Sequence, residues 1–349
     1  MTAPAAAGRG EVPARMRVAV LNRPGQLEME ERPVPEPGPG YVLVAVRSVG
    51  VCGSDVHYFQ HGRIGGFVVR DPLVLGHEVS GRIVTAGAGI DPARVGRRVA
   101  IEPGVGCGRC PQCRAGRYNL CPDMRFFATP PVDGAFGEYV LVRADLAYDL
   151  PDQVSDDAAA LLEPLSVGIW ANAKAGLTPG SSVLIAGAGP IGLVTAQVAR
   201  ARGATTIVIS DIAAHRLPAA ERSGATAALP ASDVPGACQD FDAFIDCSGA
   251  PAAISAGIRA LGPAGRAVLV GMGPDELVVP FGFVQRREIT VTGTFRYAHT
   301  WPAAIALAAS GAVNLDALVT DRFPLAQAEQ ALRSVTQEGT IKPVVEPWR

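Results

Sequence analysis

The chain has 349 residues, 48% hydrophobic and 18% charged, a globular composition in a length beyond the usual single core, so two domains are expected and extended disorder is excluded. A formal charge of -2 with no basic cluster excludes nucleic acid as a main partner, because neutralising phosphates needs a concentrated Lys/Arg surface. No apolar run is long enough to span a bilayer, so no membrane partner is expected. The Ala/Pro/Gly-rich start lacks the apolar stretch of a secretory signal, and residues 1–15 read as a flexible tail. Four of the seven cysteines crowd between Cys107 and Cys121, which in a chain without an export signal points to metal thiolates in a reducing cytoplasm and not to disulfides.

From residue 17 to about 149, short β-branched runs (18–21, 41–46, 98–101) alternate with Gly/Pro turns such as Pro37-Gly38-Pro39-Gly40, the style of a mainly β domain. After Pro151 the pattern changes. Apolar strands at 182–185, 205–209, 241–245, 266–270 and 288–292 alternate with Ala-rich helical stretches, which predicts an α/β, doubly wound parallel sheet. A helical run at 300–310 and a short tail ending Ile341-Lys342-Pro343-Val344-Val345 leave no room for a third core, and the tail is expected to return to the first domain.

The strand at 182–185 runs into Gly187-Ala188-Gly189-Pro190-Ile191-Gly192 and then an apolar helix, the context in which Gly-x-Gly-x-x-Gly binds a dinucleotide. The first Gly allows the sharp turn, the second lets a pyrophosphate approach the backbone, and the third lets helix and strand pack closely. Asp211 follows about 20 residues later, where a carboxylate accepts from the adenosine ribose hydroxyls and repels a 2'-phosphate, favouring NAD over NADP. Arg216, just beyond, either flanks the adenine, partly accommodates a phosphate, or is a solvated helix residue.

Cys107, Cys110, Cys113 and Cys121 supply four thiolates within about fifteen residues, enough to close a tetrahedral zinc with no open position. A second set is dispersed: Cys52, then Gly76-His77-Glu78, then Glu163. One thiolate, one imidazole and one or two carboxylates can hold zinc with a position left for water or substrate. Read singly, Cys52 is equally a buried filler, His77 a core hydrogen-bonding residue and Glu163 a helix-capping one.

Taken together, these blocks resemble the zinc-containing medium-chain dehydrogenase/reductase superfamily over nearly the whole chain after the tail. Within it the sequence is similar to the sorbitol/xylitol (polyol) dehydrogenase group, through Val56-His57-Tyr58, Gly62-Arg63-Ile64-Gly65, Ala128-Thr129-Pro130-Pro131, Glu163-Pro164-Leu165-Ser166-Val167-Gly168 and Gly293-Thr294-Phe295-Arg296-Tyr297. The resemblance implies a Rossmann NAD-binding domain at 157–296 and a mainly β, GroES-like catalytic domain at 16–156 and 297–349. It implies a catalytic zinc on Cys52, His77 and Glu78, with Glu163 a ligand directly or through water. Tyr58, Phe126, Thr129, Glu163, Arg296 and Tyr297 would face the polyol. Gly187, Gly189, Pro190, Ile191, Gly192, Asp211, Arg216, the turn Val270-Gly271-Met272 and the stretch Thr294-Phe295-Arg296 would hold NAD.

The expected reaction is hydride transfer from a secondary hydroxyl to NAD, with Ser54, the cofactor ribose and His57 as a proton path and Asp55 orienting the ligand histidine. A cyclitol, a vicinal diol or threonine are the alternative substrates for the same chemistry. An inactive scaffold and a zinc-module nucleic-acid binder are the alternatives without it. A homotetramer or homodimer is expected, since the strand at 288–292 would expose an edge unless paired with another chain.

Overall fold

The computed structural model describes residues 12–349. Of the expected tail, residues 1–11 lie outside the described residues, and a strand already begins at its last position, in Arg15–Arg23. Contacts divide the described residues into two units, one of 12–105, 125–161 and 319–349 and another of 106–124 and 162–318.

The first unit is built on strand Tyr41–Gly50, whose run of Val, Leu and Ala is buried on both faces and therefore does not alternate. It pairs antiparallel with Glu78–Ala86, Tyr139–Arg143 and Lys342–Glu346, the last confirming that the tail returns to this domain. Arg98–Ile101 and Ala147–Asp149 extend the sheet beyond Glu78–Ala86, and Val319–Pro324 extends it beyond Lys342–Glu346. Val44, Val46, Val49, Val79, Ile101 and Phe136 pack inside it. Helix Gly53–His61 follows the central strand and ends on Gly62, whose left-handed φ of 66° closes the turn.

The second unit holds a six-stranded, wholly parallel sheet. Numbered in chain order, Ser182–Ala186, Thr206–Asp211, Ala227–Pro230, Phe241–Asp246, Leu261–Leu269 and Thr290–Gly293 lie in spatial order 3-2-1-4-5-6, the arrangement of a dinucleotide-binding fold. The expected α/β doubly wound sheet and mainly β domain are thus both observed. Helix Leu162–Ala175 packs on Pro190–Ala201, with Gly168 at the close approach, where an added Cβ would sit 3.2 Å from the backbone nitrogen of Thr195.

The units depart from the expected boundaries in three places, of which the smallest is residues 157–161, which cluster with the β domain. Residues 106–124 and 297–318 cluster with the parallel sheet and not with the β domain. For 297–318 the cause is helix Trp301–Ala309, which packs on Leu162–Ala175.

Candidate metal and dinucleotide sites

Two strand ends and a helix N-terminus in the first unit converge. Gly50, the last residue of the central strand, lies opposite Glu78, the first residue of the next, in antiparallel register. Cys52 follows two residues beyond Gly50 as the N-cap of helix Gly53–His61, and His77 immediately precedes Glu78. Residues far apart in sequence thereby meet. A sulfur of Cys52, an imidazole nitrogen of His77 and a carboxylate oxygen of Glu78 lie within 4.8 Å of one another, with His77 and Glu78 buried.

Local backbone supports this grouping. Gly76 takes a left-handed φ of 88°, and a Cβ there would sit 2.7 Å from the Phe136 ring, so only glycine turns the chain into His77. The carboxylate of Asp55, wholly buried, accepts from the backbone N–H groups of Cys52 and Gly76, each at 3.0 Å, and lies 3.6 Å from His77 Nδ1. Burial opposes a charged imidazole, yet the Asp55 carboxylate and the Cys52 thiolate outweigh it and hold the His77 pKa well above its usual value. Burial likewise works against the Asp55 charge and is outweighed by His77 and the backbone donors, which keep its pKa low. With Nδ1 turned to Asp55, Nε2 is left as the ligand atom.

Glu78 Oε1 takes the ammonium of Lys342 at 2.5 Å, while Oε2 is buried and has no hydrogen-bond partner. An orphaned carboxylate oxygen beside a thiolate and an imidazole is the donor set a zinc ion fits. The Phe126 ring lies 5.6 Å from that of His77 and covers one side of the group. Ser54 and His57, one helical turn apart on Gly53–His61, run from half-buried to exposed, and Tyr58 on the same helix is buried. Thr129 donates its backbone N–H to the Phe126 carbonyl at 3.1 Å. Glu163 belongs to the second unit, where it is buried in the first turn of Leu162–Ala175.

The second unit carries the four cysteines, whose sulfurs also fall within 4.8 Å of one another. The backbone N–H groups of Cys107, Cys110 and Cys113 point at the sulfurs of Cys121, Cys107 and Cys110, at 3.3, 3.3 and 3.4 Å. The Arg109 and Cys110 N–H groups pull the Cys107 thiol down to about 7, while desolvation and its three neighbouring sulfurs drive Cys113 up to about 12. Four crowded thiols cannot ionise together unless a cation neutralises them, so the arrangement fits a closed zinc site.

In the same unit the glycine motif divides its tasks as expected. Gly187 takes φ 102°, a Cβ on Gly192 would meet the Gly187 carbonyl at 1.8 Å, and a Cβ on Gly189 would meet nothing within 4 Å. Gly189 therefore opens on free space at the N-terminus of helix Pro190–Ala201, the end whose dipole favours an anion. Asp211 ends its strand with its carboxylate accepting from Ala188 N at 2.7 Å and Ala213 N at 2.8 Å, so it also fixes the glycine loop. Ile191, Arg216 and Val270 are half-buried and Met272 is exposed. The turn at Val270 and Gly271 donates both N–H groups to the Asp246 carbonyl, and Gly271 leaves no room for a side chain against Gly249. Thr294 donates to the Leu269 carbonyl at 2.9 Å, the Arg296 guanidinium lies over the Phe295 ring at 4.9 Å, and Tyr297 is buried.

Three residues escape the sequence reading. Lys342, Asn119 and His299 each make a long-range polar contact, to Glu78, Phe295 and Gly116, and the one local signal is Lys342 itself, a charge within an apolar strand.

Residues 38–152 match the alcohol dehydrogenase GroES-like domain family, and residues 190–310 the zinc-binding dehydrogenase family. Sorbitol dehydrogenase of Gallus gallus is 45% identical over 333 residues, covering 93% of this chain and 94% of its own length. Among solved structures, a zinc-binding dehydrogenase from Sinorhizobium meliloti bound to NADP superposes with a TM-score of 0.90 at 32% identity, covering 96% of this chain and 100% of its own. An alcohol dehydrogenase from Escherichia coli CFT073 complexed with NADH gives 0.89 at 29% identity, with the same two coverages. No helix among the described residues is long and apolar enough to cross a membrane.

Proposed function

The chain belongs to the zinc-binding medium-chain dehydrogenases, in their sorbitol dehydrogenase group, and from that membership and the geometry of the site we propose that it oxidises a polyol of the sorbitol or xylitol type with NAD. A secondary alcohol and NAD+ give a ketose, NADH and one proton. The observation that carries this reading is the group of half-buried Cys52 with buried His77 and Glu78 and its one orphaned carboxylate oxygen.

Zinc held there supplies the Lewis acidity that lets an alcohol lose its proton near neutral pH, and NAD supplies the hydride acceptor. Cys52, His77 and Glu78 are the protein ligands, and Glu163 completes the set directly or through water. Asp55 locks the His77 ring, and Phe126 keeps water from one side of it. Ser54 would take up the hydroxyl proton, and His57, exposed on the same helix, would release it to solvent. Tyr58, Thr129, Glu163, Arg296 and Tyr297 hold the remaining hydroxyls of the polyol. NAD is held by the Gly187 to Gly192 loop with Ile191, by Asp211 and Arg216, by Val270 to Met272 and by Thr294 to Arg296. The Asp211 carboxylate, held by two backbone N–H groups, disfavours a 2'-phosphate.

The second zinc, on Cys107, Cys110, Cys113 and Cys121, is structural. The enzyme works in the cytoplasm, where its thiols stay reduced, as a homotetramer or homodimer. The edge strand Thr290–Gly293, with Val291 41% exposed, supports self-association through that edge.

Nicotinamide absorbance with xylitol, sorbitol, ribitol, arabinitols, butanediol, threonine and inositols, each with NAD and with NADP, tests the reading. A polyol rate with NAD that a chelator abolishes is expected. Turnover only of a cyclitol, simple diol or threonine would overturn the substrate class and keep the chemistry.

A further inference from the structure

We infer that the four-cysteine lobe, residues 106–124, holds the segment 294–299 in shape, so that Asn119 and His299 are positioning residues for Arg296 and Tyr297. This rests on the reading above, in which Arg296 and Tyr297 face the polyol.

The segment between strand Thr290–Gly293 and helix Trp301–Ala309 has no regular structure of its own. Within four residues it contains two non-glycine residues in left-handed conformations, Arg296 at φ 54° and His299 at φ 58°. L side chains avoid that region, and such conformations persist only where neighbours over-determine them. The neighbours here belong to the lobe. Asn119 Nδ2 donates to the Phe295 carbonyl at 2.9 Å, the Tyr118 hydroxyl accepts the His299 backbone N–H at 2.8 Å, and His299 Nε2 reaches the Gly116 carbonyl at 2.7 Å. The Tyr118 and His299 rings also meet edge to face at 5.0 Å. These bonds bracket Arg296 and Tyr297 from both sides.

The lobe has no core with which to hold that grip unaided. Among its described residues, Cys121 and Asn119 alone are buried. All three anchors, Gly116, Tyr118 and Asn119, lie between Cys113 and Cys121, so the loop that carries them is closed by the metal thiolates. Order in the lobe therefore comes from the four sulfurs and their ion, and passes through Asn119 and His299 to the residues beside the substrate. A metal site usually credited with stability alone thus sets the geometry of substrate binding.

The test compares Asn119→Ala, His299→Ala and the lobe control Leu120→Ala in the zinc-loaded enzyme, by amide hydrogen exchange across 294–300, zinc per subunit, and KM and kcat for the best polyol. For Asn119→Ala and His299→Ala, exchange in 294–300 should rise and KM should increase about three- to tenfold, the effect of one lost hydrogen bond, with kcat changed less and zinc retained. Leu120→Ala, at an exposed position, should change none of these. Should Asn119→Ala disturb folding, His299→Ala, also at an exposed position, carries the comparison. Unchanged exchange at 294–300 in a folded, zinc-replete variant overturns the inference. Faster exchange with unchanged KM upholds the brace and instead overturns the placement of Arg296 and Tyr297 against the substrate.

Discussion

Lys342 Nζ lies 2.5 Å from Glu78 Oε1 and 2.9 Å from the Val51 carbonyl, and both charged side chains are almost wholly enclosed. The pair joins the first residue of the C-terminal strand to a proposed zinc ligand grouped with Cys52 and His77, and it leaves Glu78 Oε2 without a hydrogen-bond partner. Removing one member of a buried ion pair strands the other, at a cost of about 3–5 kcal/mol. Lys342→Met is therefore expected to lower thermal stability and to speed zinc loss from the Cys52 group to a competing chelator. Wild-type melting together with wild-type zinc retention would contradict this role.

Gly50 makes room for the same carboxylate. A Cβ at Gly50 would fall 2.0 Å from Glu78 Oε2, so Gly50→Ala must push the carboxylate out of place. Overpacking of this kind costs about 1–3 kcal/mol, small enough for the chain to fold. The expected product is a folded protein that retains zinc on its four-cysteine lobe, loses it from the Cys52 group and is inactive. Metal analysis before and after mild chelation reads this directly; equal retention at both sites would show that Glu78 is not a ligand.

How much of this was legible follows from distance along the chain. The four cysteines and the glycine loop are local, so spacing alone exposes them: a Cβ on Gly192 meets the Gly187 carbonyl five residues away at 1.8 Å, and the motif encodes that contact. Cys52, His77 and Glu78 meet only through the register that sets Gly50 against Glu78, which no local pattern states, and it was the family resemblance that joined them. Lys342 and Glu78 are 264 positions apart, and Asn119 and Phe295 are 176 apart. Those contacts were missed, and with them the grouping of 106–124 with the second unit. The last strand, expected at 288–292, forms at Thr290–Gly293; Glu288 stands at φ 52°, outside strand geometry.

Cys247 separates accessibility from reactivity. Burial and the neighbouring Asp246 carboxylate push its pKa up to about 12, although the side chain is not fully enclosed. Below that pH the native thiol keeps its proton, and the thiolate is the nucleophile. Native protein at mildly alkaline pH is expected to leave Cys247 unmodified by iodoacetamide while unfolded protein is labelled, as peptide mass spectrometry would show. The sign for stability follows. Between the ordinary thiol value of 9.0 and about 12, the unfolded chain releases a proton that the native chain keeps, so this group lowers stability as pH rises through that window. Rapid labelling of native Cys247 would refute the assignment.

The second and third glycines of the cofactor loop should fail differently. Gly192→Ala drives a Cβ to 1.8 Å from the Gly187 carbonyl, a backbone atom that cannot yield, and is expected to lower the melting temperature or abolish folding. Gly189→Ala points its methyl into open space, at φ -81°, and leaves the fold intact. That space is where a pyrophosphate would approach the helix N-terminus, so the methyl should weaken NADH binding. Loss of one charge-assisted N–H bond, about 1.5–3 kcal/mol, corresponds to a tenfold or greater rise in the dissociation constant. Nicotinamide fluorescence titration alongside thermal melting distinguishes the two. Normal melting with normal NADH affinity in Gly189→Ala would mean that the pyrophosphate does not cross this loop.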